Sequence, residues 1–123
     1  MTTKVIRNAV ILTMNRANDV VTGDVLIQGD VIAQVGGRID EDCADIVFDA
    51  EGKALLPGFV QTHVHLCQTL FRGRADDLEL IDWLRQKIWP MEAAHDEESV
   101  YYSALLGIGE LIRSGTTTIL DME

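Results

Sequence analysis

The chain of 123 residues is 47% apolar, enough for a core of ordinary size, and carries a formal net charge of -10. That acidity is scattered as on a solvated face, and it argues against nucleic acid or an anionic membrane as partner, since both are polyanions. Two cysteines make no disulfide framework, nothing after Lys4 resembles a signal peptide, and no apolar run reaches the roughly 20 residues of a membrane span, so the expected setting is the cytoplasm, with both thiols reduced.

Residues 1–56 read as short strands and turns. "KVIRNAVILTM" is rich in β-branched and aliphatic residues, as strands prefer. "GDVLIQGDVIAQVGG" holds two apolar-rich runs, and Gly29 and Asp30 between them suit a two-residue hairpin turn, because glycine tolerates positive φ. "DIVFDAEGKALLPG" repeats that pattern around Glu51 and Gly52. Pro57, lacking an N–H, ends regular pairing. This zone is expected to form a small β-sheet or half a sandwich.

After Pro57 the rhythm changes. Phe59 to Val64 predicts a strand. In "DDLELIDWLRQKIW", Leu78, Ile81, Leu84 and Ile88 recur at helical spacing, with Asp76 or Asp77 as N-cap. Asp96 caps a second predicted helix, whose Val100, Ala104, Ile108 and Leu111 line one face and whose stop is Gly115. "TTTIL" predicts a further strand, so the natural arrangement is a parallel pair joined by helices.

The chemistry-bearing residues are His63 and His65. Side chains at i and i+2 of a strand point the same way, so two imidazoles there would share a face and chelate one divalent metal, which zinc accepts readily. By itself His-x-His is a common pattern. Its place after Pro-Gly and an apolar run, opening a long loop, strengthens it. Two ligands leave a catalytic shell incomplete, since zinc enzymes use three plus water. His95 reads as a solvated or capping side chain, and Cys67 as a small buried filler more than a thiolate ligand. Asp121 reads as a strand-end carboxylate facing solvent or a cation, with a ligand or base role as the other possibility. No glycine-rich phosphate loop or nucleophile elbow is present.

"LLPGFVQTHVH" resembles the Pro-Gly-(x)4-His-x-His signature of the amidohydrolase superfamily. "TLFRGRADDLELIDWLRQKIWPME" and "LIRSGTTTILDM" resemble its methylthioadenosine/S-adenosylhomocysteine deaminase and chlorohydrolase group, which includes triazine hydrolases. The resemblance implies an α/β fold: part of a β-sandwich over residues 1–56, then the first strands and helices of a TIM barrel over 57–123. It implies that His63 and His65 are metal ligands for zinc or iron. It implies that Glu92 receives hydrogen bonds from substrate hydroxyls, and that Trp89 lines the pocket, although a core anchor for the helix is the simpler role. Arg72 and Gly73 belong to the pattern as loop scaffolding, Gly73 supplying a permissive backbone angle.

The activity implied is metal-assisted hydrolysis of C–N or C–Cl bonds in amino- or chloro-substituted heterocycles such as adenosine derivatives. Members of this group are several-fold longer, and their remaining metal ligands and proton-transfer groups lie downstream of the matched region, so no catalytic residue is assigned within these 123. The expectation is the front part of such a hydrolase, inactive alone. The alternative is a non-catalytic fragment or assembly piece that needs a second chain to complete the barrel; the partner expected is that complementing chain or, in a homo-oligomer, a further copy.

Overall fold

β1 (Thr3–Leu12) is flanked by β2 (Val20–Gln28), antiparallel to it, and β2 in turn by β3 (Val31–Val35). The computed structural model describes residues 1–75 and 77–122, the side chain of Cys43 excepted. It divides into two units, Met1–Pro57 and Gly58–Glu123.

The hairpin forms where the sequence predicts it. Gln28 faces Val31, Gly29 takes φ +64°, and its N–H donates to the Thr2 carbonyl at 2.9 Å. The second expected hairpin does not form. β4 (Ile46–Asp49) and β5 (Ala54–Leu55) both lie parallel to β1, against Lys4–Arg7 and Val10–Ile11, rather than against each other. The cause is a bulge in β1. Asn8 adopts φ +57° and the β1–β2 register shifts between Ile6 and Ala9. The Ala50 N–H reaches the Arg7 carbonyl at 2.8 Å and the Val10 N–H the Lys53 carbonyl at 3.1 Å, so residues 50–53 skirt the bulge.

Asp24 holds the bulge in place. Its Oδ1 accepts from the Asn8 N–H at 3.0 Å and its Oδ2 from the Ile39 N–H at 2.8 Å. Burial alone would raise its carboxyl pKa, but those two N–H groups, with Arg7 and Arg38 nearby, bring it below the ordinary value. Beside it Ala9, Ile11, Val25 and Ala50 form the core, packed against by Ile6, Val21, Ile27 and Leu55.

In the second unit β6 (Phe59–Val64) and β7 (Thr116–Asp121) pair in parallel, as expected, with every helix between them. A 3-10 helix, Leu66–Phe71, follows β6; α1 (Leu80–Trp83), α2 (Trp89–Ala93) and α3 (Glu97–Arg113) come next. No helix among the described residues is long and apolar enough to cross a membrane.

The first predicted helix differs from expectation. Asp76 lies outside the described residues; Asp77 sits in a turn, and α1 starts after Glu79 with no side-chain cap. Of the stripe Leu78, Ile81, Leu84 and Ile88, only Ile88 is buried. Leu78 lies in the bend before α1, and Pro90 interrupts the period between Leu84 and Ile88: it lacks an N–H and its ring would press on the carbonyl four residues back. The preceding segment, Leu84–Ile88, widens into a π turn in which the Trp89 N–H bonds the Leu84 carbonyl, so the helical stripe slips by one residue.

α3 starts as predicted, with a reciprocal capping box: Ser99 N–H to Asp96 Oδ1 at 2.8 Å and Asp96 N–H to Ser99 Oγ at 2.9 Å. Gly115, at φ +87°, follows its end. Its packing face is another correction. Val100 and Ile108 are exposed, and the fully covered positions are Ser103 and Gly107. Small residues win there because the 3-10 helix comes too close for larger ones. A Cβ on Gly107 would lie 2.6 Å from Thr69 Oγ1 and 3.0 Å from Leu66 Cδ2.

Candidate metal centre

His63 lies in β6, and His65 directly follows it in extended backbone, φ -126°, so the strand's alternation carries through both. Their rings meet edge to face with centroids 5.0 Å apart, and the two Nε2 atoms are 3.0 Å apart. Two nitrogens at about 2.0–2.1 Å from a tetrahedral zinc lie roughly 3.3 Å from each other. The pair therefore fits one shared cation.

His65 has its tautomer fixed. Its Nδ1–H donates to the Met122 main-chain carbonyl, which leaves the Nε2 lone pair for a ligand. The Met122 N–H in turn donates to the Val64 carbonyl at 2.9 Å, so the orienting carbonyl is held by the neighbouring strand. Among the described residues no group of three or more His, Cys, Asp or Glu side chains converges. The pair supplies half of a four-coordinate shell.

The segment after His65 is pinned from several sides. Asp121 is half-buried, its Oδ1 accepts from the Leu66 N–H at 3.0 Å, and it forms no ion pair among the described residues; it secures the loop. Ser103, with no exposed surface, places its Oγ 2.8 Å from both the Leu66 and Cys67 carbonyls. His95 is half-buried and not solvated. Its Nε2–H donates to the Cys67 carbonyl at 2.9 Å, its Nδ1 meets Ser99 Oγ at 2.9 Å, and Phe71 stacks on it. These bonds engage both ring nitrogens away from His63 and His65. Cys67 is buried, in keeping with a filler role.

Glu92, on α2, reaches this segment. Its Oε1 accepts from Gln68 Nε2 at 2.8 Å, and Cys67 Sγ lies 3.9 Å from the same oxygen. Trp89 is 50% exposed and does not anchor a core. Arg72 makes a two-point ion pair with Glu110, at 2.9 and 2.6 Å, and Gly73 takes φ +68°, as scaffolding would. Each partner stabilises the other's charged form: the Arg72 hydrogen bond lowers the Glu110 carboxyl and the Glu110 hydrogen bond raises the Arg72 guanidinium.

The residues missed by reading the sequence are Gln68, Ser103 and Gly107. A signal for the last two was present: Ser99, Ser103 and Gly107 recur every four residues on an otherwise apolar helix, the mark of a close-packed face. Gln68 carried no such signal.

Residues 54–123 match the amidohydrolase family. The chain is 59% identical over 102 residues to 5'-deoxyadenosine deaminase of Methanobrevibacter smithii, covering 83% of this chain and 23% of that protein. It is 43% identical over 122 residues to 5-methylthioadenosine/S-adenosylhomocysteine deaminase of Carboxydothermus hydrogenoformans, covering 98% and 28%. Among solved structures, a zinc-bound adenosine deaminase from Xanthomonas campestris superposes with TM-score 0.86 at 31% identity, over 98% of this chain and 28% of that one. The zinc complex of atrazine chlorohydrolase from Arthrobacter aurescens shares the fold, with TM-score 0.82 at 23% identity, over 96% and 28%. The chain thus spans about a quarter of the length of these relatives. Signature, strand order and the paired imidazoles agree with the match over residues 54–123, and the chain belongs to the amidohydrolase family.

Proposed function

We propose that these residues form the metal-binding front part of a hydrolase that removes the amino group of an adenosine derivative, with water as co-substrate. The observation that carries this reading is the pair of imidazole nitrogens 3.0 Å apart at the end of β6, one aimed by the Met122 carbonyl. The substrate class follows the relatives, named as deaminases of 5'-deoxyadenosine and of methylthioadenosine or S-adenosylhomocysteine. Chloro-substituted heterocycles are the second class, supported only by fold likeness to atrazine chlorohydrolase.

His63 and His65 would hold zinc or iron, which share imidazole ligands. The ion, when bound, lowers the pKa of water there and so supplies a nucleophile near neutral pH. His65 keeps its lone pair directed at the site because its other nitrogen is committed to Met122. Asp121 keeps Leu66, and with it His65, in register with β7. Glu92 offers a carboxylate to the substrate's hydroxyls. Residues outside these 123 would complete the metal shell and move protons. A cytoplasmic setting, with the Cys67 thiol reduced, accompanies this reading, as does assembly with a further copy.

The test is expression from the whole reading frame that contains this sequence, followed by metal analysis and ammonia release from 5'-deoxyadenosine, methylthioadenosine, adenosine and atrazine. Bound zinc or iron with release from the nucleosides supports the reading. A metal-loaded protein that releases chloride from atrazine and no ammonia would move it to the second class, and full activity after His63→Ala with His65→Ala would end it.

A further inference from the structure

We propose that Gln68 is a positioning residue that sets the Glu92 carboxylate to receive the vicinal hydroxyls of a ribose-bearing substrate. The proposal rests on the reading of Glu92 as the substrate contact, and it names what makes that contact selective.

Three observations carry it. Gln68 Nε2 donates to one carboxylate oxygen of Glu92 at 2.8 Å, and among the described residues no donor is recorded on the other oxygen, Oε2. The carboxylate is therefore clamped at one end and open at the other. Second, the clamp is neutral. An arginine or lysine in this place would orient Glu92 and also place a countercharge on it; an amide orients it without one and leaves the other oxygen to accept hydrogen bonds from hydroxyls. Third, Gln68 stands on a fixed platform. The residues just before it are tied by Asp121 at the Leu66 N–H, by Ser103 at two carbonyls and by His95 at the Cys67 carbonyl. From the other side, the π turn before Pro90 sets the rotation of α2, which carries Glu92. A hydrogen bond between two such supports fixes direction, and the segment that carries Gln68 begins directly after the His65 ligand.

The test uses the zinc-loaded enzyme from the whole reading frame and two nucleosides: 5'-deoxyadenosine, and the same compound lacking the 2' and 3' hydroxyls. Gln68→Met keeps the side-chain length and removes the donor. It should raise KM for 5'-deoxyadenosine about tenfold, the value of one hydrogen bond to a charged group, with kcat falling less than twofold. For the diol-free compound KM should rise no more than twofold. Gln68→Met combined with Glu92→Gln should be no worse than Glu92→Gln alone. An equal rise on both compounds, or additive losses in the double variant, overturns the proposal. Gln68→Ala serves if Gln68→Met folds poorly.

Calorimetric binding of adenosine against 2',3'-dideoxyadenosine separates this proposal from the activity beneath it. A protein that deaminates neither compound yet prefers the diol, and loses that preference in Gln68→Met, sinks the deaminase reading and upholds the clamp. Deamination without any diol preference sinks the clamp alone.

Discussion

His65 donates its Nδ1 proton to the main-chain carbonyl of Met122, 57 residues further along the chain. The orientation of one metal ligand thus depends on the pairing of β6 with β7, because the Met122 N–H is itself bonded to Val64 between the two histidines.

Metal binding should follow that dependence. His63→Ala or His65→Ala removes half of the nitrogen pair, and the full enzyme should then retain no zinc or iron after dialysis. Met122→Pro, which removes the N–H held by Val64, should weaken metal affinity about 10–100-fold, the usual effect of disturbing an orienting group. Met122→Ala should change it less than about twofold, because the carbonyl belongs to the backbone. Competition with a chelator measures all of them, and a large loss in Met122→Ala would show that the side chain matters instead.

Ser103 and Gly107 should be the sensitive positions of α3. Ser103→Ala removes one of two donors from each of the Leu66 and Cys67 carbonyls and takes the acceptor from the Leu70 N–H, and should cost about 1–3 kcal/mol in urea unfolding. Gly107→Ala gains about 1 kcal/mol of helix propensity, yet its Cβ would press on Thr69 Oγ1 at 2.6 Å. That oxygen is already bonded to the Leu66 carbonyl at 3.0 Å and has little freedom to yield, so the net effect should be destabilising. Val100→Ser, on the exposed side, should change stability by less than about 0.5 kcal/mol. A stabilised Gly107→Ala would disprove the close packing.

Much of this was legible from local rules. The His63/His65 pair follows from strand alternation, the α3 start from Asp96, and the β2–β3 turn from Gly29. What escaped depends on distant partners. The Glu51–Gly52 turn has good hairpin chemistry, but β1 competes for both flanking strands, and its bulge is set by Asp24, 16 residues from Asn8. The stripe through Leu84 assumed 3.6 residues per turn, and Pro90 breaks that period. The helical spacing of Val100, Ala104, Ile108 and Leu111 predicts an apolar α3 face, whereas contact with the 3-10 helix requires small residues. Gln68 stood in a loop where its role depends wholly on Glu92, 24 residues away.

Acid should act on the first unit through Asp24. Its folded pKa lies below the ordinary carboxylate value, so its charged form stabilises the fold. That contribution is whole above about pH 4 and is lost as pH falls through the ordinary range toward the lowered folded value. Asp49 and Asp96 are lowered too, the first chiefly by the Asn8 side chain and the second by the Ser99 N–H, but both are exposed and screened and should add little. Asp24→Asn leaves Asn8 or Ile39 short of an acceptor and should cost about 1–3 kcal/mol at pH 7. It should also reduce the loss of stability between pH 5 and 3. Urea midpoints across that range measure both, and an unchanged slope in Asp24→Asn would assign the acid sensitivity to other carboxylates.

The β6–β7 sheet should make residues 1–123 associate when they are produced alone. Two strands are marginal by themselves, and among the described residues no third strand pairs with either edge. Phe59, Val60 and Leu120 on these strands are more than half exposed, and so are Tyr101, Leu105 and Ile112 on α3. Apolar surface of this extent in one unit is costly in water, and edge pairing between copies covers it without new backbone strain. Light scattering should therefore give a mass that rises with concentration. Lysine at Val60 and at Leu120 should lower it, because a charge carried into an edge-to-edge contact loses its hydration there. Production from the whole reading frame should abolish the concentration dependence if further chain covers these strands. A monodisperse monomer of residues 1–123 with a cooperative thermal transition would show instead that the two-stranded unit is stable with its faces in water.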